Sequence, residues 1–127
     1  MRALLADDQD RVRSALWLLL SQTSAAQVVG EATKLTQVLT RLGDVQPDVV
    51  LLDWELPGWP ANGSVDALRR FSPDLKVIVL SGRPEARQAA LDAGADAFVS
   101  KNDPPEKLLA RLEEMCSPRD SNQRDRA

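Results

Sequence analysis

Polar side chains stand at the ends of four short apolar runs in this chain. Asp7 and Asp8 follow the first run, Asp53 the second, Ser81 the third and Lys101 the fourth. Carboxylates bind hard divalent cations, whereas a hydroxyl and an ammonium group donate hydrogen bonds to phosphate oxygens. If these side chains meet in the fold, they form a site for a divalent cation and a phosphoryl group.

The four runs are apolar on successive residues, a pattern typical of strands that are buried on both faces of a parallel sheet. They cover residues 3–6, 49–52, 77–80 and 97–100. Ligands of parallel sheets with helical crossovers bind outside the carboxyl ends of the strands. The polar residues are therefore expected to lie at one edge of the sheet.

The composition is that of a single globular domain. Of 127 residues, 43% are hydrophobic and 28% are charged, which suffices for one core. The net charge of −3 without a basic block argues against nucleic acid as a direct partner. Residues 15–20, the longest apolar stretch, are too few to span a bilayer, so no membrane is expected. Because no secretory signal precedes the first strand and Cys116 is alone, we expect a cytoplasmic protein.

The chain contains no histidine. The usual zinc sites, Ser/His/Asp triads and histidine acid–base catalysis are therefore excluded. Any phosphohistidine in the chemistry of this protein must belong to a partner.

A regular alternation of strand and helix patterns predicts the fold class. With a further strand near residues 27–31, the chain has five βα units, which right-handed crossovers fold into an α/β domain. We expect a flavodoxin-like, doubly wound (βα)5 three-layer sandwich whose parallel sheet has strand order 2-1-3-4-5. The domain is expected over residues 1–117, and residues 118–127 are expected to form a polar tail or linker stub.

The ends of the five helices are predicted from capping and breaking residues. These are Asp8 or Asp10 at the start of the first helix, Gly43 at the end of the second, Asn62-Gly63 and Pro73 around the third, Pro84 and Gly94 around the fourth, and Pro104-Pro105 at the start of the fifth.

Asp53 is the candidate phosphoryl acceptor. Carboxylates brought together repel one another, and a divalent cation removes that penalty. Mg²⁺ suits such a site because it keeps several waters and accepts phosphate oxygens. Asp53 lies on the central strand, so its carboxylate is the natural nucleophile. Taken singly, an N-cap for Asp8, a turn for Ser81 and a solvated Lys101 are ordinary roles, but the combination at four strand ends favours a site.

With these motifs in place, the chain resembles the receiver domain of two-component response regulators over about residues 2–116. The resemblance rests on Asp7-Asp8, on Asp53 with Leu56-Pro57-Gly58, on Leu80-Ser81-Gly82, on residues 93–98 and on Lys101. It implies that Asp53 accepts a phosphoryl group from a sensor histidine kinase or a histidine phosphotransfer protein. Apart from self-phosphorylation and self-dephosphorylation, no enzymatic activity is implied.

The resemblance also implies roles for the individual site residues. Mg²⁺ would be bound directly by Asp8, by Asp53 and by the backbone carbonyl of Glu55, and largely through water by Asp7. Ser81 and Lys101 would contact the phosphoryl group. Ser81 would then shift toward the phosphate while an aromatic residue on the last strand turns inward.

Phe98 is that aromatic residue, although it could equally be an ordinary core residue. The switch would alter the face formed by the fourth helix, fifth strand and fifth helix. Its output would be a downstream protein target or a fused output domain, with a phosphorylation-dependent homodimer as a further outcome.

Some positions depart from the family pattern or carry more than one interpretation. Trp59-Pro60-Ala61 lengthens the loop after Asp53, either as an ordinary surface insertion or as a border of the site. Glu55 and Arg83 occupy positions that tune phosphate loss in the family, and we expect them to influence it by pairing. Trp17 is expected to pack beneath the fifth helix, with an exposed docking role as the alternative.

Two other functions compete with the phosphoacceptor. One is a phosphorylation-independent pseudo-receiver used only for binding, which is weakened because every expected site residue is present. The other is a flavodoxin-like phosphatase acting on small phosphates. Aspartate-nucleophile phosphatases need a second Asp two residues after the first, and this chain has Glu55 there.

Overall fold

The structure is a computed structural model that describes residues 1–60 and 63–116. Its centre is a parallel sheet of five strands in the order β2-β1-β3-β4-β5, as predicted. The strands are β1 (Arg2–Ala6), β2 (Gln27–Ala32), β3 (Val49–Asp53), β4 (Lys76–Ser81) and β5 (Ala97–Ser100). Every residue of β3 is buried, which is the burial expected of a central strand covered on both faces.

Helices cover both faces of the sheet. The α-helices are α1 (Asp10–Leu20), α2 (Leu35–Val45), α3 (Arg87–Asp92) and α4 (Pro105–Met115), and the 3₁₀ helices are Val65–Arg70 and Pro84–Ala86. Side chains of α1 and α4 join one hydrophobic cluster with one face of the sheet, and α2, α3 and both 3₁₀ helices contribute to a second. The three-layer sandwich is therefore confirmed.

The strand register brings the predicted site residues to one edge. Asp53 pairs with Leu80 across β3 and β4, and Ser81 pairs with Ser100 across β4 and β5. On the other side of β3, Leu52 pairs with Ala6, the last residue of β1. The residues that follow these strands therefore lie at the carboxyl edge of the sheet.

The third predicted helix is not an α-helix. Its described part is the 3₁₀ helix Val65–Arg70, in which Phe71 N–H donates to Leu68 O at 3.1 Å. The Val65 N–H donates to Ala93 O (2.9 Å), which joins the start of this 3₁₀ helix to the end of α3. Pro73 disfavours α geometry at the preceding residue and limits the length of the segment. The predicted start at Asn62 lies outside the described residues, as do residues 118–127.

Two other helix ends were also predicted wrongly. Neither Asp8 nor Asp10 caps α1, whose N-cap is Gln9 without a side-chain hydrogen bond. Gly43 lies inside α2, which ends at Gln46 in the left-handed region (φ 47°), immediately before a proline that cannot continue the helix. The fourth helix starts as a 3₁₀ turn rather than an α-helix. Its stop at Gly94 is supported by the left-handed φ of 109°.

Within the described residues, no helix is both long and apolar enough to cross a membrane.

Candidate functional site

Three carboxylates converge at the carboxyl edge of the sheet. Asp7, Asp8 and Asp53 each place one oxygen within 4.8 Å of the others. Asp7 and Asp53 are 1% and 3% exposed, whereas Asp8 is exposed. The predicted acidic cluster therefore exists, with two members buried and one reaching solvent.

Backbone hydrogen bonds orient the two buried acids. Asp7 Oδ1 accepts the Gln9 N–H at 2.9 Å, and Asp53 Oδ1 accepts the Glu55 N–H at 3.0 Å. Each carboxylate thus bonds the backbone two residues ahead, which shapes the turn that leaves its strand.

Lys101 lies between the buried acids. Its Nζ is 2.8 Å from Asp7 Oδ2 and 3.3 Å from Asp53 Oδ1. The backbone N–H of Lys101 donates to Ser81 O at 2.8 Å, which fixes the loop after β5 against the end of β4. The ammonium group therefore already stands where it could meet an anion held on Asp53.

Burial and like charge make Asp53 harder to ionise. Desolvation raises the pKa of Asp53, and the negative charge of Asp7 adds to the effect; the Glu55 N–H and Lys101 oppose it. Burial on its own would lower the pKa of Lys101, but the contacts with Asp7 and Asp53 outweigh it and raise that pKa. The ammonium group is therefore held in its charged form.

The cluster fits a hard divalent cation. Asp7 Oδ2 is buried, and Lys101 Nζ at 2.8 Å partly neutralises its charge. Carboxylate oxygens at this spacing, one of them at the surface, match the oxygen ligands that Mg²⁺ accepts while keeping some of its waters.

Ser81 and Glu55 form a hydrogen-bonded pair at the same edge. Ser81 is fully buried, and its hydroxyl is 3.1 Å from each oxygen of the Glu55 carboxylate. Arg83 Nη2 donates to Glu55 Oε2 at 3.0 Å, so the predicted pairing of Glu55 with Arg83 is present.

The aromatic residues near the site are mostly buried. Phe98 and Trp54 are each 9% exposed and belong to one core cluster. Trp59 is partly buried against that cluster, with its ring centroid 5.7 Å from that of Trp54. Trp59 therefore contacts the core, whereas Pro60 is exposed and Ala61 lies outside the described residues, so the role of the insertion stays a prediction. Trp17 is 45% exposed, so the expectation that it packs beneath the last helix is wrong.

Sequence reasoning missed Arg13. Its guanidinium donates to the backbone carbonyl of Asp7 at 2.8 Å and to Glu31 Oε1 at 2.7 Å, and it also pairs with Asp10. Arg13 therefore joins α1, the end of β2 and the acidic loop. Its position one turn into α1 was the only sequence signal, and that signal does not distinguish it from the exposed Arg11.

Comparison with known proteins agrees with this geometry. The sequence profile described as "Response regulator receiver domain" matches residues 3–113. The chain belongs to this family. Receiver domains generally bind Mg²⁺ at an acidic pocket, and this chain has an acidic cluster of Asp7, Asp8 and Asp53.

Relatives of this receiver domain include transcriptional regulators. It is 32% identical to the phosphate regulon transcriptional regulatory protein PhoB of Escherichia coli K12, covering 87% of this chain and 49% of PhoB. It is 34% identical to the nitrate/nitrite response regulator protein NarL of the same organism, covering 90% of this chain and 54% of NarL. The chain thus spans about half the length of these relatives.

A solved structure shows the same fold. The signal receiver domain of the response regulator NarL from Mycobacterium tuberculosis superimposes with a TM-score of 0.79 at 26% identity. The match covers 91% of this receiver domain and 94% of that chain.

Proposed function

We propose that this receiver domain accepts a phosphoryl group on Asp53 from a phosphohistidine of a sensor kinase or a phosphotransfer protein. The observation that carries the proposal is the position of the Asp53 carboxylate. It is buried on the central strand, shares a cluster with two further carboxylates, and has Lys101 Nζ 3.3 Å from its Oδ1.

Mg²⁺ would be held by the carboxylates of Asp8 and Asp53 and by the backbone carbonyl of Glu55, with Asp7 acting largely through water. When bound, it neutralises the carboxylates and the phosphoryl oxygens. The chain supplies the oxygen ligands and holds them by the turns that follow β1 and β3.

In the transfer, an Asp53 oxygen forms a bond to phosphorus while the bond from phosphorus to the partner's histidine nitrogen breaks. The bonding electrons leave with that nitrogen. Lys101 neutralises charge on a phosphoryl oxygen, and the Ser81 hydroxyl donates a hydrogen bond to another. Hydrolysis of the phosphoryl group regenerates the Asp53 carboxylate. The reactions proposed for the domain are therefore its own phosphorylation and its own dephosphorylation.

The phosphorylated domain would change a protein-binding surface that includes the α3–β5–α4 face, through Ser81 and Phe98. The phosphorylated receiver could form a homodimer, act on a downstream protein target, or act through a fused output domain, as the greater length of its relatives suggests. We assign the receiver to residues 1–117 and its place of action to the cytoplasm, where histidine kinases meet their regulators.

Treatment with acetyl phosphate and Mg²⁺ followed by intact mass spectrometry tests the proposal. Wild-type protein is expected to gain one phosphoryl mass, and Asp53→Ala is expected to gain none. Asp44→Ala, which changes an exposed aspartate on α2, is the matched control and should be phosphorylated as the wild type is. A wild type without adduct would favour a phosphorylation-independent binding module, and an adduct on Asp53→Ala would contradict the choice of acceptor.

A further inference from the structure

The only proton of the Ser81 hydroxyl is already used in this structure. The hydroxyl oxygen lies 3.1 Å from Glu55 Oε1 and 3.1 Å from Glu55 Oε2. A carboxylate is only an acceptor when ionised, so Ser81 is the donor to Glu55. A hydroxyl has one hydrogen and cannot donate fully to Glu55 and to a second anion together.

Two further contacts hold this arrangement in place. The Arg83 backbone N–H donates to Ser81 Oγ at 3.1 Å, and its guanidinium donates to Glu55 Oε2 at 3.0 Å. We refer to Glu55, Ser81 and Arg83 with these bonds as the Ser81 network. Ser81 itself is fully buried, so water does not offer its hydroxyl an easy alternative acceptor.

Resting on the phosphorylation of Asp53 proposed above, we propose that the Glu55 carboxylate competes with the phosphoryl group for the Ser81 hydroxyl. Glu55 is a positioning residue that acts through Ser81. In the unmodified protein, the Glu55 carboxylate holds the Ser81 hydroxyl by accepting its hydrogen bond. A phosphoryl group on Asp53 gains the Ser81 bond only after the bond to Glu55 breaks, so the network favours the unphosphorylated conformation.

Competition through Ser81 differs from simple charge repulsion. Glu55 also carries a negative charge near Asp53, and repulsion between that charge and a bound anion would not need Ser81. Competition, in contrast, requires the Ser81 hydroxyl. A double-mutant cycle between positions 55 and 81 separates the two mechanisms, because residues that act through one another are not additive.

The experiment measures the affinity of Mg²⁺ with beryllofluoride, a stable phosphoryl mimic, by fluorine NMR titration. The proteins are wild type, Glu55→Ala, Ser81→Ala and the double variant. When serine is kept at position 81, Glu55→Ala is expected to bind beryllofluoride about threefold to tenfold more tightly than the wild type does. This is the scale of one hydrogen bond to a charged group. In the Ser81→Ala background the same change should alter affinity by less than about twofold.

Glu55→Gln is the conservative variant, since its amide oxygen still accepts from Ser81 without the charge. It is expected to tighten binding less than Glu55→Ala does. A thermal melt of each variant checks that it is folded at the titration temperature.

Equal tightening in both backgrounds would overturn competition in favour of repulsion, and no tightening in either would overturn any role for Glu55. Both of these outcomes leave the phosphoacceptor function intact. If the wild type binds no beryllofluoride and gains no phosphoryl mass from acetyl phosphate, the proposed function fails, and the competition fails with it.

Discussion

Asp53 is a carboxylate that the fold removes from water and places beside two more acids and one lysine. Burial raises its pKa most, and Asp7 raises it further, while Lys101 and the Glu55 N–H only partly compensate. The arrangement is unfavourable for the folded protein and useful for its chemistry, because a divalent cation or a phosphoryl group with its cation relieves it. Perturbed acids of this kind are common at functional sites.

Asp53→Asn is therefore expected to raise stability in the absence of Mg²⁺. The pKa of Asp53 is higher in the folded protein than in the unfolded chain, so folding favours the protonated carboxyl. This contribution of Asp53 to the free energy of unfolding is fully present below the unfolded pKa of about 3.9 and is lost as the pH rises through the folded pKa. The advantage of Asp53→Asn should grow from about pH 4 upward and reach roughly 1 kcal/mol at pH 7. Urea unfolding at a series of pH values measures it.

Asp74→Asn, a change at an exposed aspartate, is the control and should show little advantage at any pH. Saturating Mg²⁺ is expected to reduce or reverse the stability advantage of Asp53→Asn over the wild type, because the cation binds the wild-type carboxylate better than the neutral amide. A wild type that is more stable than Asp53→Asn at pH 7 without Mg²⁺ would contradict the argument.

At the scale of elements, the site depends on turns that leave adjacent strands and on the helix that follows the first of them. α1 has no side-chain N-cap, and its link to the acidic loop is Arg13. One guanidinium holds the Asp7 carbonyl, Glu31 on β2 and Asp10 in the first turn of α1, which suits the fixed geometry of arginine donors.

Arg13→Ala is expected to weaken Mg²⁺ binding about tenfold, the lower end of the range for residues that orient metal ligands. It should also lower the free energy of unfolding by about 1–2 kcal/mol through the lost hydrogen bonds. Magnesium titration followed by tryptophan fluorescence and urea unfolding measure the two effects.

Arg11→Ala removes an exposed arginine from the same helix and should leave both quantities nearly unchanged. If Arg13→Ala loses stability but keeps wild-type affinity for Mg²⁺, Arg13 fastens α1 to the sheet without positioning the acidic loop.

At the scale of the whole molecule, two hydrophobic clusters on opposite faces of the sheet account for the core. Among the described residues, the last that contribute to them are Leu112, which is fully buried, and Met115, which packs against the cluster beneath α1 and α4. Polar residues follow. The chain spans about half the length of the transcriptional regulators it matches.

A chain truncated after residue 117 is therefore expected to keep its melting temperature within about 1 °C and to retain phosphorylation by acetyl phosphate, since the truncation removes none of the described residues of either cluster. Differential scanning calorimetry and intact mass spectrometry check these results. Truncation after residue 111, which removes Leu112 and Met115, is the matched comparison and should unfold at a clearly lower temperature. A large loss from the shorter deletion would place the domain boundary beyond residue 117.

The strands, their order and the five polar residues at their ends could be predicted from the amino-acid sequence alone. Doubly buried strands are continuous apolar runs, and parallel crossovers have one hand, so strand ends such as Asp53 and Ser81 meet at one edge. Helix ends were less predictable. Gly43 looks like a terminator in the sequence, yet α2 continues past it to Val45, and the third helix is a 3₁₀ helix that ends before Pro73.

Only the tertiary structure decided which side chains touch. Lys101 and Asp7 are far apart in the chain, and nothing local to either residue requires an ion pair at 2.8 Å. The Ser81 network and the Arg13 contacts likewise depend on rotamers and on the meeting of separate strand ends. Residue types and hydrophobic period are local properties that can be read along the chain. The direction of a side chain is set by its neighbours in space, so the partners of each site residue emerge only when the chain is folded.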